Sequence, residues 1–184
     1  MNDDDQAWSR SLASGDERAF RLLVERETTR VFRACYRVLG QIDDAEEATQ
    51  ETFVLAYRAL GTYRGDGHPA AWLLRIATRE AWRLANVRSR GRSISMVLDD
   101  AVMALPSSTL DPAESAIAAN EREELREAVG KLPELYREII TLRYFADLSL
   151  NEICALTGRP GGTVKAQIHR GLGQLRVLMA EESR

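Results

Sequence analysis

The chain is poor in the residues that carry most catalysis and cross-linking, with two cysteines and two histidines in 184 residues. Cys35 and Cys154 each lie on a helical apolar pattern. Neither has Cys-x-x-Cys spacing nor paired histidines, so reduced core residues are expected and not a zinc site or a disulfide framework. There is no glycine-rich phosphate loop between a strand and a helix, no strand pattern of useful length, and no internal repeat. No run of about eighteen apolar residues occurs, so no membrane span of its own is expected. The stretch Met1–Asp5 is acidic and lacks the apolar core of a signal peptide. These absences point to a cytoplasmic, all-α protein that is not an enzyme and needs no cofactor or metal.

Charge, by contrast, is plentiful. There are 25 basic and 28 acidic residues, for a net charge of −3, but the distribution matters more than the sum. Residues 1–60 hold eight basic and twelve acidic residues, 61–95 seven and two, 96–130 two and eight, and 131–184 eight and six. Acidic and basic segments therefore alternate. That arrangement suits two nucleic-acid surfaces kept apart by acidic stretches, and an acidic first block suits a basic protein surface.

The most informative stretch runs from Leu148 to Met179. Ser149 with Glu152 three residues on forms a capping box, Ile153 and Leu156 give a short apolar stripe, and Gly158 can end that helix in the left-handed conformation. Pro160 suits the first position of the next helix. There Val164, Ile168, Leu172, Leu175 and Met179 fall within roughly 80° of arc. The opposite face carries Gly162, Thr163, Ala166, His169, Arg170 and Gly173, and no residue between Gly158 and Leu178 is acidic. Small residues let a backbone approach a surface, and Thr, His and cations supply groove and phosphate contacts. This is a helix-turn-helix pattern with Thr163–Arg170 on the recognition helix. A plain helical hairpin with a solvated basic face is the other reading of the same pattern.

Earlier in the chain, Ser14–Glu17 starts a helix that Gly40 stops, with the Thr28–Thr29 pair as a candidate bend. Residues 1–13 carry one apolar cluster, suited to a short helix. Asp43 or Asp44 is placed to cap a third helix ending near Leu60. Its buried side is Ala45, Ala48, Thr52, Leu55, Ala56, Ala59 and Leu60. Its other side is Glu47, Gln50, Glu51 and Arg58 with Val54 in their midst, flanked by Phe53 and Tyr57. An apolar residue centred on a polar face suits a docking surface, and it also suits a solvated amphipathic helix with one stray Val.

Pro69 opens a helix to about Arg90, with Leu73, Ile76, Ala77, Leu84 and Val87 apolar. Arg75, Arg79, Arg83, Asn86 and Arg90 share roughly 80° of arc on its other side. Trp72 and Trp82 lie on or beside that arc. Cations track a phosphate backbone and rings stack unpaired bases, which suggests single-stranded nucleic acid. For Trp72, beside Leu73, a place in the core is the better reading. Residues 91–110 lack a period and read as a flexible acidic linker. Helices follow from Ala113 to about Leu132 and from Pro133. The expected organisation is two helical domains, 5–92 and 113–181, joined by a linker over 93–112.

Taken together these motifs resemble an extracytoplasmic-function (group IV) sigma factor of bacterial RNA polymerase, in the sigma-70 family, over nearly the whole chain. The likeness is carried by Gly15-Asp16-x-x-Ala19-Phe20, by Asp43–Phe53, by Tyr63-Arg64-Gly65 and by Ala71–Ala77. It continues through Leu132-Pro133-x-x-x-Arg137, Leu148-Ser149-x-x-Glu152-Ile153, and Gly162–Lys165 with His169-Arg170. The resemblance implies a subunit that binds core RNA polymerase and directs initiation at promoter DNA. It implies core-polymerase docking by Glu47, Gln50, Glu51, Phe53, Val54 and Tyr57. Capture of the melted −10 element falls to Arg64, Trp72, Arg75, Arg79, Arg83, Asn86 and Arg90. Reading of the −35 duplex falls to Arg159, Gly162, Thr163, Lys165, Ala166, Gln167, His169 and Arg170. An anti-sigma factor is the further partner implied.

Arg79 and Arg83 stand where Asn and Asp are common in the family, Ala166-Gln167 where Ser-Arg is common, and Ala71 where housekeeping members place a second Trp. Altered −10 and −35 preferences and a weaker melting wedge are expected. A stand-alone dimeric helix-turn-helix regulator that never touches polymerase is the rival class.

Overall fold

The computed structural model describes residues 3–63, 65, 68–94 and 112–182, with side chains for 6–63, 65, 68–89 and 118–181. Among them the fold is helical throughout. Helix α1 spans Asp3–Ala13, α2 Glu17–Leu39, α3 Ile42–Ala59, with a 3₁₀ turn at Leu60–Thr62, and α4 spans Pro69–Ile94. The second half contains α5 (Pro112–Lys131), α6 (Glu134–Ile140), a π-helical turn (Thr141–Phe145), α7 (Leu150–Thr157) and α8 (Gly161–Glu182). The first half is a bundle in which α2, α3 and α4 pack on one another with α1 across one end. Leu23, Val31, Cys35, Leu73 and Leu74 are fully buried at its centre, each aliphatic side chain contributing about 1.5–3 kcal/mol of apolar burial.

Asp16 caps α2 by accepting a hydrogen bond from the Arg18 amide at 2.8 Å. Gly40 ends the helix at φ 76, a left-handed conformation that glycine adopts without steric cost. A Cβ there would also stand 2.7 Å from the Arg126 guanidinium, which packs over this helix end. Helix α2 runs unbroken through Thr28 and Thr29, against the bend expected there. The Thr28 hydroxyl donates to the Val24 carbonyl one turn back, a bond made within the helix rather than in competition with it. Neither Asp43 nor Asp44 caps α3. Gln41 holds that position without a side-chain bond, and both acids lie in the first turn, where the positive helix end favours them. Asp44 is buried and paired with Arg88 of α4.

The turn of the helix-turn-helix is as expected: Ser149 and Glu152 make both halves of the capping box, and Gly158 sits at φ 67. Helix α8 begins at Gly161, one residue later than expected, with the Pro160 carbonyl accepting from the Val164 amide. Val164 is buried and Leu175 nearly so. Gly171 lies where α8 crosses α6, and a Cβ there would meet Ile140 Cγ1 at 3.0 Å. Just after α6 the coil widens, the Ala146 amide donating to the Thr141 carbonyl at 3.0 Å, five residues back. Helix α4 continues through Gly91 to Ile94, and the expected flexible linker otherwise lies outside the described residues. Val87, expected on the apolar side, is 53 % exposed instead.

Candidate functional site

Three surfaces carry the residues singled out in the sequence. On α3 the inner positions Ala45, Ala48, Thr52 and Ala56 are buried. This commits the outer positions to solvent, because one helix cannot bury both faces against a single bundle. Val54 is 42 % and Tyr57 50 % exposed. Glu47 and Gln50 are exposed, and Glu51 and Phe53 half-buried. Tyr57 meets Phe20 of α2 edge-on, with ring centroids 5.4 Å apart. Glu47 is not wholly free, since Arg88 donates to it at 3.1 Å while also gripping Asp44. One guanidinium thus ties the outer face of α3 to α4.

The basic arc of α4 is present but engaged. Arg75 donates to Glu138 of α6 at 2.9 Å and to the Leu156 carbonyl at 3.2 Å. Arg79 reaches the same carboxylate at 3.3 Å. Arg83 folds back on Glu80 of its own helix through bonds of 2.6 and 2.8 Å. That carboxylate, through hydrogen bonds and its charge, holds the Arg83 pKa above its ordinary value. Asn86 is exposed. Arg64 and the Arg90 side chain lie outside the described residues. Trp72 leans on Tyr63 with centroids 5.1 Å apart and packs against the core. Trp82 enters the second half of the molecule, its indole N–H donating to the Thr141 hydroxyl at 3.0 Å. The Arg137 guanidinium lies 5.8 Å from its ring centroid.

On α8 the recognition face is open. Gly162, Thr163, Lys165, Ala166, His169 and Arg170 are all exposed, and a Cβ on Gly162 would meet nothing within 4 Å. Gln167 is half-buried and accepts from Arg159 at 3.3 Å. Arg159 also reaches Glu138, at 3.2 Å. The Glu152 carboxyl beneath this turn is pushed up by partial burial, but hydrogen bonds from the Ser149 hydroxyl and amide, with the positive charge of Arg30, bring it below its ordinary value.

Sequence reasoning missed Glu138, Thr141, Arg37 and Asp147, which join the two halves. Arg37 donates to the Phe145 carbonyl at 2.9 Å and to Asp147. The only signal for Glu138 was an acid inside a basic block. Among the described residues no cluster could hold a metal ion, and no helix is long and apolar enough to cross a membrane.

The capped α7, the tight turn at Gly158 and the open face of α8 form a helix-turn-helix, the architecture of a DNA-binding protein. The family model for sigma-70 region 2 matches residues 23–92 and that for sigma-70 region 4 matches residues 122–175. The RNA polymerase sigma factor SigW of Bacillus subtilis is 31 % identical over 91 % of this chain and 92 % of its own. The sigma-E factor of Escherichia coli K12 is 36 % identical over 90 % of this chain and 89 % of its own. Among solved structures, CnrH in complex with the cytosolic domain of CnrY has TM-score 0.59 at 27 % identity, covering 97 % of this chain and 99 % of its own. The chain belongs to the extracytoplasmic-function sigma factors of the sigma-70 family and is an alternative sigma factor.

Proposed function

We propose that the outer face of α3 docks this factor on core RNA polymerase, that α4 holds the unpaired −10 strand, and that α8 reads the −35 duplex. The observation that carries the reading is the exposure of Val54 and Tyr57 beside Glu47 and Gln50. Apolar side chains ringed by carboxylates suit a basic partner surface: burial supplies the affinity, and the charges supply the approach and the register. On α8, Thr163, Lys165, His169 and Arg170 present hydroxyl, imidazole and cationic donors on a face with open space at Gly162. That combination suits base edges and phosphates in a major groove. The −10 role of Arg75, Arg79, Arg83, Asn86 and Arg90 rests on their common arc and on the family, and that of Arg64 on the family alone.

The factor does no chemistry itself; it supplies specificity to the polymerase and works in the cytoplasm, where the chromosome is. The sequence units 5–92 and 113–181 carry the two promoter roles. CnrH is described in complex with the cytosolic domain of CnrY, and a protein partner of anti-sigma type, covering the same faces, is proposed here too. A stand-alone dimeric regulator is not favoured, because both sigma-70 family models match this chain. The test is run-off transcription with core polymerase alongside a direct affinity measurement. Replacing Gln50 and Glu51 by Ala should lower polymerase affinity at least about tenfold, a loss of about 1.4 kcal/mol, while DNA binding by the free factor is kept. Unchanged polymerase affinity would remove the docking assignment.

A further inference from the structure

Val87 is 53 % exposed on α4, although its apolar spacing places it inside. A single exposed Val is ordinary, but the surroundings of this one are not. Arg88, the next residue, donates to Glu47 of α3 at 3.1 Å and grips the buried Asp44. Arg83, one turn earlier, is held by Glu80 through bonds of 2.6, 2.8 and 3.0 Å. Glu80 raises the Arg83 pKa by those bonds and by its charge, and the charges of Glu51 and Glu47 on α3 add to the rise. Helices α3 and α4 therefore lie side by side and antiparallel, Asp44 against Arg88 and Glu51 against Arg83. Val87 stands at one end of the row formed by Glu47 and Glu51, with the exposed Val54 and Tyr57 at the other. We infer that Val87 is a second apolar anchor of the polymerase-docking surface, which continues from α3 onto α4 across that carboxylate row. The inference rests on the docking role proposed for α3.

Charge selects the occupant. Among the described side chains around Val87, the four carboxylates of Asp44, Glu47, Glu51 and Glu80 face the two guanidinium groups of Arg83 and Arg88. The patch keeps two negative charges in excess, although it borders the basic arc of α4. A phosphate backbone is repelled by that surplus, whereas a basic protein surface is drawn to it. The same surplus lies along the outer face of α3, so one basic partner, the core polymerase, spans both helices.

The patch is also ordered before the partner arrives. Both guanidinium groups are already fixed by ion pairs, so little side-chain freedom remains to be lost on binding. Glu80 does much of the fixing. Its side chain is 6 % exposed, and giving up Arg83 would leave a buried carboxylate unpaired. A paired rim around an apolar centre keeps water from the anchor once a partner closes over it. Val54 and Val87 are offset by about two helical turns, roughly 10 Å along the helices. Two anchors so far apart fix the angle at which a partner sits, where one would leave it free to pivot.

The experiment measures the affinity of the full chain for core polymerase, and separately for a fluorescein-labelled mixed-sequence single strand of DNA. Val87→Asp should lower polymerase affinity at least about tenfold. Ser89→Asp adds the same charge to the same helix at an exposed position about 160° away around its axis, and should lower it by less than about twofold. The two variants should bind the single strand equally. Val87→Ala should lose about threefold in polymerase affinity. Because Ala favours helix more than Val does, this variant decides the matter if circular dichroism shows Val87→Asp unfolded. The inference is overturned if Val87→Asp and Ser89→Asp bind polymerase alike, or if Val87→Asp loses only single-strand binding, which would give Val87 to the DNA. Val54→Asp separates the two levels. Its loss of polymerase binding beside an inert Val87→Asp removes the extension alone, whereas an inert Val54→Asp removes docking by α3 and the extension with it.

Discussion

The Cys35 thiol has no contact with solvent and points its hydrogen at the Ala77 carbonyl, 3.9 Å away. Burial pushes its pKa up to about 11, so almost none is thiolate at neutral pH, and the thiolate is the nucleophile. Alkylation of the native protein at mildly basic pH should therefore modify Cys154, which is half-buried, and leave Cys35 untouched until denaturant is added. Mass spectrometry showing Cys35 modified in the native state would contradict the packing. Cys35 was legible as a core residue from its apolar pattern, whereas Cys154, expected there too, is only half-buried. The partners of the charged side chains were not legible. Arg88 meets Asp44 across 44 positions of sequence and Arg75 meets Glu138 across 63. No local period encodes such pairs, so cations that a wheel displays as one free stripe turn out to have partners.

Glycines on α8 separate packing from propensity within a single helix. Gly171 faces fully buried Ile140, whose Cγ1 would lie 3.0 Å from an added Cβ, with Tyr136 Cβ at 3.3 Å. Overpacking of this kind costs about 1–3 kcal/mol, against about 1 kcal/mol regained from helix propensity. Gly171→Ala should therefore lower the melting temperature by a few degrees. Gly173 has nothing within 4 Å, so Gly173→Ala should raise stability by up to about 1 kcal/mol. Calorimetry showing both substitutions moving the same way would refute the crossing. The helices themselves were legible from apolar spacing, and the α7 capping box and both helix-ending glycines from residue type. What failed was local competition: Asp43 and Asp44 look like caps, but Asp44 is drawn inward by Arg88, and the hydroxyl of Thr28 bonds back along its own helix.

At the scale of the whole molecule, the alternation of charge along the chain was the legible feature, and the closure of one half on the other was not. Closure depends on side chains from α2, α4, α6 and the π turn meeting in space, and each of those segments reads as self-sufficient on its own wheel. The open recognition face gives a test that closure does not confuse. Arg170 is exposed and has no ion pair among those found in the described residues. If it neutralises one phosphate, Arg170→Ala should weaken duplex binding across sequences and lower the slope of log affinity against log salt by about 0.9. An anisotropy titration with an unchanged slope would count against that contact. The widened coil at Thr141–Phe145 carries a last consequence. It takes up one residue more than an ordinary α turn, so the loss of one position there can be absorbed by rewinding to ordinary pitch. The same loss inside α6, where no slack exists, would turn everything downstream by about 100° and carry Asp147 away from Arg37.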